Sequence, residues 1–203
     1  MTLAENDAAP QTRGEPLYLR RPLGTGAAPA TIANRGTSPA WRTVSMTGVP
    51  KSDLPAESKG YTVSRTVYRP DGSTPDLKKV RQTDLFVIVI KGKRTDAARA
   101  ARTLVVDLLP AGFEIENANA GGQSSWNLGW LKGLTEAAYT EQRDDRYIAA
   151  LDLGENAAEF TLAYVVRAIT PGEYTYPALV VEDMYEPETT GRTAIGKLSV
   201  QAR

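Results

Sequence analysis

The chain has 203 residues, of which 41% are hydrophobic and 24% charged, the proportions of an ordinary globular protein, which excludes disorder throughout and allows a domain of about 140 residues with an appendage. Its 24 Lys and Arg balance 24 Asp and Glu, and it has no Cys and no His, which removes disulfides, thiol nucleophiles, the usual zinc centres and the commonest general base. Charge is uneven, with ten Lys/Arg against four Asp/Glu over residues 61–105 and seven against fifteen over 106–203, but the positives are interleaved with apolar residues and form no stripe, so no nucleic acid partner is expected.

Residues 1–16, MTLAENDAAPQTRGEP, lack the basic start and apolar stretch of a signal peptide. With Pro10, Gly14 and Pro16 they read as a disordered start or an expression remnant. No apolar run approaches the roughly 18 residues that span a bilayer, so direct membrane insertion is not expected. Segment 17–55 holds three short strand candidates, LYLRR, ATIAN and WRTVSMTG, and runs into a linker, GVPKSDLPAESKG at 48–60, marked by its prolines and flanking glycines. Three strands are too few for an independent core.

From Gly60 the strand signals become regular: YTVSRTVYR, DLFVIVIK, RTLVVDLL, FEIE, RYIAALDL, EFTLAYVVRAI, EYTYPALVVE and IGKLSV. In EFTLAYVVRA one face takes Phe160, Leu162, Tyr164, Val166 and Ala168 and the other Glu159, Thr161, Ala163, Val165 and Arg167; a period of two marks a strand with one buried face. LFVIVI (85–90) is apolar on both faces, so it lies centrally in its sheet or against another domain. Pro70-Asp71-Gly72, Pro110-Ala111-Gly112 and Pro171-Gly172 supply turns. The Ala-rich RTDAARAARTL (94–104) predicts two helical turns, and 121–133 a long irregular loop. The fold class is all-β, an antiparallel β-sandwich.

Four stretches taken together, DLLPAGFEIEN (107–117), RDDRYIAALDL (143–153), LAYVVRAITPGEYTYP (162–177) and VEDMYEPE (181–188), resemble the C-terminal macroglobulin-like domain of the bacterial alpha-2-macroglobulins. The resemblance covers residues 56–203. ATIANRG and WRTVSMTGVP, within 17–55, resemble the last strands of the preceding CUB-like domain, of which only an incomplete portion is present. The family consists of large periplasmic protease traps, usually lipid-anchored to the inner membrane. A protease cuts a bait region, the molecule rearranges, and a Cys-Gln thioester captures the attacker. The resemblance therefore implies a non-catalytic part of such an inhibitor, with no cofactor, whose partners are the thioester and other macroglobulin domains of the same parent chain and, through the parent, target proteases. Lacking Cys, this chain holds no thioester itself.

By the same resemblance Met184 and Tyr185 pack onto the thioester domain and keep water from the reactive bond, on a loop supported by Glu182 and Asp183. A thioether beside an aromatic ring suits that task. The plainer reading is that Met184 and Tyr185 close the end of the sandwich, with Tyr185 bonding a nearby backbone group. Asp144, Asp145, Glu182 and Asp183 are the residue type calcium prefers, but their spacing fits no recognised loop, and Arg143 and Arg146 favour ion pairs at a strand entry; no metal is expected. Any two acids can be paired on paper as a hydrolase dyad, so that pattern carries nothing. Trp126 and Trp130 could stack on sugars in a glycan-binding or adhesive module, the alternative function, although their spacing also suits burial on a short turn. SRTVYRPDG and KKVRQ read as a solvated surface and not a lipid-binding face.

Overall fold

Period-two alternation needs a second surface to cover it, and in residues 50–203 two sheets of the same chain cover each other. The structure is a computed structural model that describes residues 2–5, 9, 11–12, 14–20, 31–48, 52–96, 98–117 and 128–203. The described residues form strands β1 (Thr2–Glu5), β2 (Gln11–Thr12), β3 (Ile32–Asn34), β4 (Glu57–Lys59), β5 (Tyr61–Tyr68), β6 (Val80–Arg81), β7 (Leu85–Arg94), β8 (Ala101–Leu108), β9 (Phe113–Asn117), β10 (Tyr139–Arg143), β11 (Arg146–Leu153), β12 (Glu159–Ala168), β13 (Gly172–Tyr176), β14 (Leu179–Asp183), β15 (Thr190–Arg192) and β16 (Gly196–Gln201), and contain no helix. Two compact units result, Met1–Val49 and Pro50–Arg203.

The first unit contains a three-stranded sheet in the order β2-β1-β3. Within it Thr2 and Leu3 pair with Thr12 and Gln11, and Leu3 to Glu5 pair with Asn34 to Ile32. Among the described residues, the one of the three expected strands that forms is that around Ile32–Asn34. WRTVSMTG is irregular, with Trp41, Val44 and Met46 exposed. Alternation alone does not make a strand, because ladder hydrogen bonds and a covering face must come from a neighbour.

In the second unit a four-stranded sheet, β5-β7-β12-β9, faces a six-stranded one, β10-β11-β8-β14-β15-β4, with a small sheet, β13-β16-β6, alongside. Pairing is antiparallel except for β16 with β6. The core lies between the sheets: Phe86, Ile88, Ile90, Leu162, Tyr164 and Val166 from one side, Val105, Ala149, Leu151, Leu179 and Val181 from the other. Each such large apolar side chain contributes about 1.5–3 kcal/mol on burial. Tyr147 stacks on Tyr164 across the sheets, ring centroids 4.4 Å apart.

The doubly apolar LFVIVI is central, as its composition requires. Its outward side chains, Val87 and Val89, join Ala163 and Val165 under Leu128, Leu131 and Leu134. The chain's own segment from Leu128 to Leu134, at the end of the expected long loop, covers this face. EYTYPALVVE splits into β13 and β14, which belong to different sheets, with Pro177 between them; Pro has no N–H to continue a ladder. The described residues of the Ala-rich stretch form no helix. Ala101–Leu108 pairs residue by residue with Leu153–Arg146, and the few tenths of a kcal/mol per residue that favour Ala in a helix are small beside a completed ladder.

Candidate functional site

Both sheets carry an inward-facing ion pair, and one of these pairs supports the predicted loop. Along β14 the alternation buries Leu179, Val181 and Asp183 and leaves Val180 and Glu182 half-buried. Asp183 thus takes the inward position at the strand's end, where core gives way to solvent. Glu182 stays in the ladder, opposite Leu104 and Thr190, and does not hold the turn. Asp183 does: its Oδ1 accepts the N–H groups of Tyr185 (3.0 Å) and Glu186 (3.3 Å). Its own N–H donates to the Thr189 carbonyl (3.0 Å), and the Thr189 N–H donates to that of Glu186 (2.7 Å). An Asp in this role replaces turn hydrogen bonds that the backbone alone would lack.

Met184 and Tyr185 project from this turn into solvent, 52% and 80% exposed. The Met184 backbone is fixed by donation to the Arg102 carbonyl (2.8 Å). The plainer expectation, a side-chain pair closing the sandwich end, does not describe them, since neither is buried. Behind them the two sheets meet through polar groups. Arg94, on β7, is 4% exposed and lies 3.5 Å (Nη2) from Asp183 Oδ2, and its Nη1 donates to the Arg99 carbonyl (2.6 Å). The Nε of Arg94 is buried without a hydrogen-bond partner. Arg99 Nη2 lies 3.1 Å from Glu186 Oε1, and Arg102 Nη1 2.7 Å from Asp152 Oδ1. Tyr61, opposite Arg94 in the ladder, bonds Thr103 Oγ1 (2.7 Å), which is opposite Asp183. Burial pushes the Tyr61 phenol up; the Thr103 hydrogen bond opposes this and the Asp183 charge adds to it.

A hollow of about 380 Å³ opens here, bordered by Arg94, Arg99, Arg102, Asp152, Tyr185 and Glu186 among others. Its three guanidiniums are matched by three carboxylates, counting Asp183, so it holds no net charge to attract an ionic substrate. Sequence reasoning missed all of these except Asp183 and Tyr185. The one signal in the sequence is the arginine-rich 94–102, whose alanines point to a helix instead.

The other inter-sheet pair joins Arg65 to the fully buried Asp107. Arg65 Nη1 bonds Asp107 Oδ1, its Nη2 donates to the Pro177 carbonyl (2.8 Å), and its guanidinium lies 3.6 Å from the centroid of the Tyr176 ring. Tyr164 donates its hydroxyl to Asp107 Oδ2 (2.8 Å). Burial pushes the Asp107 carboxyl up, against the opposing pull of Arg65 and Tyr164.

Among the described residues no group of three or more His, Cys, Asp or Glu side chains is arranged to hold a metal. Asp145 bonds Arg146 (2.6 and 2.9 Å), whereas Arg143 bonds Glu141 (2.6 Å) and not an adjacent aspartate. Trp130 is anchored: its Nε1 donates to the Pro70 carbonyl (2.9 Å), its ring lies 5.1 Å from that of Tyr68, and it packs over Gly72. Gly72 takes φ +86°, as its place in the turn demands. Trp126 lies outside the described residues.

The family model described as Bacterial Alpha-2-macroglobulin MG10 domain matches residues 60–188. Alpha-2-macroglobulin of Escherichia coli is 37% identical over 169 residues, which cover 77% of this chain and 10% of that protein. The crystal structure of native Escherichia coli alpha-2-macroglobulin from domain MG7 to the C-terminus matches with a TM-score of 0.67 at 32% identity, over 76% of this chain and 25% of that one. Salmonella alpha-2-macroglobulin reacted with methylamine matches with a TM-score of 0.64 at 33% identity, over 76% of this chain and 10% of that one. The chain spans about a tenth of the length of such relatives. On motif, fold and family model alike, the chain belongs to the bacterial alpha-2-macroglobulin family, with its sandwich corresponding to the MG10 domain.

Proposed function

We propose that this chain is a non-catalytic part of a protease trap, in which Met184 and Tyr185 cover the thioester of a neighbouring domain in the parent protein. The observation that carries the reading is the exposed pair itself: two large side chains in water on a turn whose backbone is held at Met184, Tyr185, Glu186 and Thr189. Their apolar surface is still available for docking, and burying the exposed half of Met184 alone would return about 1 kcal/mol. An already ordered turn also loses little conformational entropy when it docks.

The chemistry fits a shield. A thioester is attacked by water and by small amines, and the Salmonella relative is described as reacted with methylamine, a nucleophile of that kind. Excluding solvent from a reactive bond suppresses such side reactions. In this proposal the parent works in the periplasm, anchored to the inner membrane, and residues 17–55 are the remaining portion of a CUB-like domain. The glycan-binding alternative is less supported, because one face of Trp130 is occupied by Tyr68 and its N–H by Pro70.

The test uses the full-length parent with Tyr185→Ala. The rate of methylamine incorporation, followed as thiol release, is expected to rise while folding is retained. An unchanged rate refutes the shield.

A further inference from the structure

We propose that Arg94 is the positioning residue of the Met184–Tyr185 tip, tying the β14–β15 turn to the β7–β8 connection so that the exposed pair is presented in one fixed place. This rests on the shielding reading for its consequence, but not for its geometry. Asp183 has two oxygens with separate tasks. Oδ1 shapes the turn through the Tyr185 and Glu186 amides, and Oδ2 faces Arg94. Arg94 likewise divides its guanidinium, with Nη2 toward Asp183 and Nη1 on the Arg99 carbonyl. Arg99 returns to the tip through Glu186. The result is a closed circuit, Arg94–Asp183–Glu186–Arg99, in which Asp183 also holds the Tyr185 amide.

Only the buried members can hold position. Arg99 and Glu186 have side chains 67% and 45% exposed, and pairs of that kind are worth little. Arg94 and Asp183 are each 4% exposed, and rotation of Asp183 away from Arg94 would leave two largely buried charges without their partner. The planar fork of Arg, which reaches two acceptors on different loops at once, cannot be supplied by Lys. The unpartnered Nε shows that this arginine is not placed for the most favourable burial, and its 3.5 Å contact is looser than the Arg65 pair. Replacing it should therefore leave a folded protein in which the tip can be followed.

The experiment combines two measurements on Arg94→Met, with Arg94→Lys as a milder second variant and Leu198→Ala, a core change in β16, as a control for general destabilisation. In the 203-residue chain, hydrogen exchange at the Tyr185 and Glu186 amides is expected to quicken roughly tenfold in Arg94→Met while the Val105 amide tracks global stability. Arg94→Lys should lie between wild type and Met. In the full-length parent, Arg94→Met should speed methylamine reaction in the same direction as Tyr185→Ala, and Leu198→Ala should not. Unchanged exchange at Tyr185 and Glu186, or equal quickening with Leu198→Ala, overturns the positioning role. If exchange quickens but neither Tyr185→Ala nor Arg94→Met alters the methylamine rate, the positioning holds and the shield reading is what fails.

Discussion

Arg65→Met removes the charge at the centre of the sandwich while keeping most of the side chain's stem. Asp107 would retain only the Tyr164 hydroxyl, the Pro177 carbonyl would lose its donor, and the Tyr176 ring its cation. The side chains of the pair are 7% and 0% exposed, so water does not replace what is lost. Removing one partner of a buried pair costs about 3–5 kcal/mol, a large share of a total of roughly 5–15 kcal/mol for a domain. The expected fall in melting temperature is about 6–20 °C at roughly 2–4 °C per kcal/mol for a domain of this size.

Urea unfolding followed by far-ultraviolet circular dichroism measures the loss. Two further results are expected. Because burial already holds the Asp107 carboxyl up with Arg65 present, removing Arg65 raises it further. The folded variant then takes up its proton at a higher pH than the unfolded chain does, and its deficit shrinks as the pH is lowered. Adding Asp107→Leu to Arg65→Met should recover at least half of the loss, because a buried ion pair can be exchanged for apolar residues more safely than it can be halved. A loss below about 1 kcal/mol, or a double variant no more stable than the single, would refute the view that the pair is buried and mutually dependent.

Gly191→Ala should destabilise by about 1–3 kcal/mol, since a Cβ there would stand 2.4 Å from the backbone oxygen of Tyr61. Gly154→Ala, with nothing within 4 Å, should stay within about 0.5 kcal/mol; equal urea midpoints for the two would contradict the close approach of β15 to β5. Alkaline unfolding should be steep. Burial pushes Tyr61, Tyr164 and Tyr176 up, and Tyr147 to about 12. The unfolded chain therefore releases these protons first. Stability is full below about pH 10 and falls above it, by up to about 1.4 kcal/mol per pH unit for each such tyrosine. Urea midpoints measured across that range, with tyrosinate absorbance, would show ionisation lagging until the chain unfolds; early ionisation of every tyrosine would count against the packing.

Much of the sandwich could be read directly from residue order. RYIAALDL is strand β11 without adjustment, because a strand with one buried face carries its environment in its own alternation. EFTLAYVVRA is β12, but the expectation of one buried face fails there, since Ala163 and Val165 on the second face are covered by Leu128, Leu131 and Leu134. The short strands β4, β6, β10 and β15 were not visible that way: YTEQR, for example, has no buried residue and is a strand only because β11 offers it a ladder. Local propensity also misled, in the Ala-rich 94–104 and in WRTVSMTG, since a favourable local preference yields to whether a pairing neighbour exists.

The site divides along the same line. That Met184 and Tyr185 form a large pair in a polar, turn-rich stretch was evident from composition, as was the absence of Cys that bars this chain from carrying a thioester. What holds the pair was not. Arg65 and Asp107 are 42 residues apart in the chain, and Arg94 and Asp183 lie on different sheets. Nothing in the neighbourhood of either residue names its partner. An apolar residue can be satisfied by any covering surface, so its position in a pattern is enough to place it. A buried charge needs one particular group at one distance, and only the closing of the two sheets over each other supplied it.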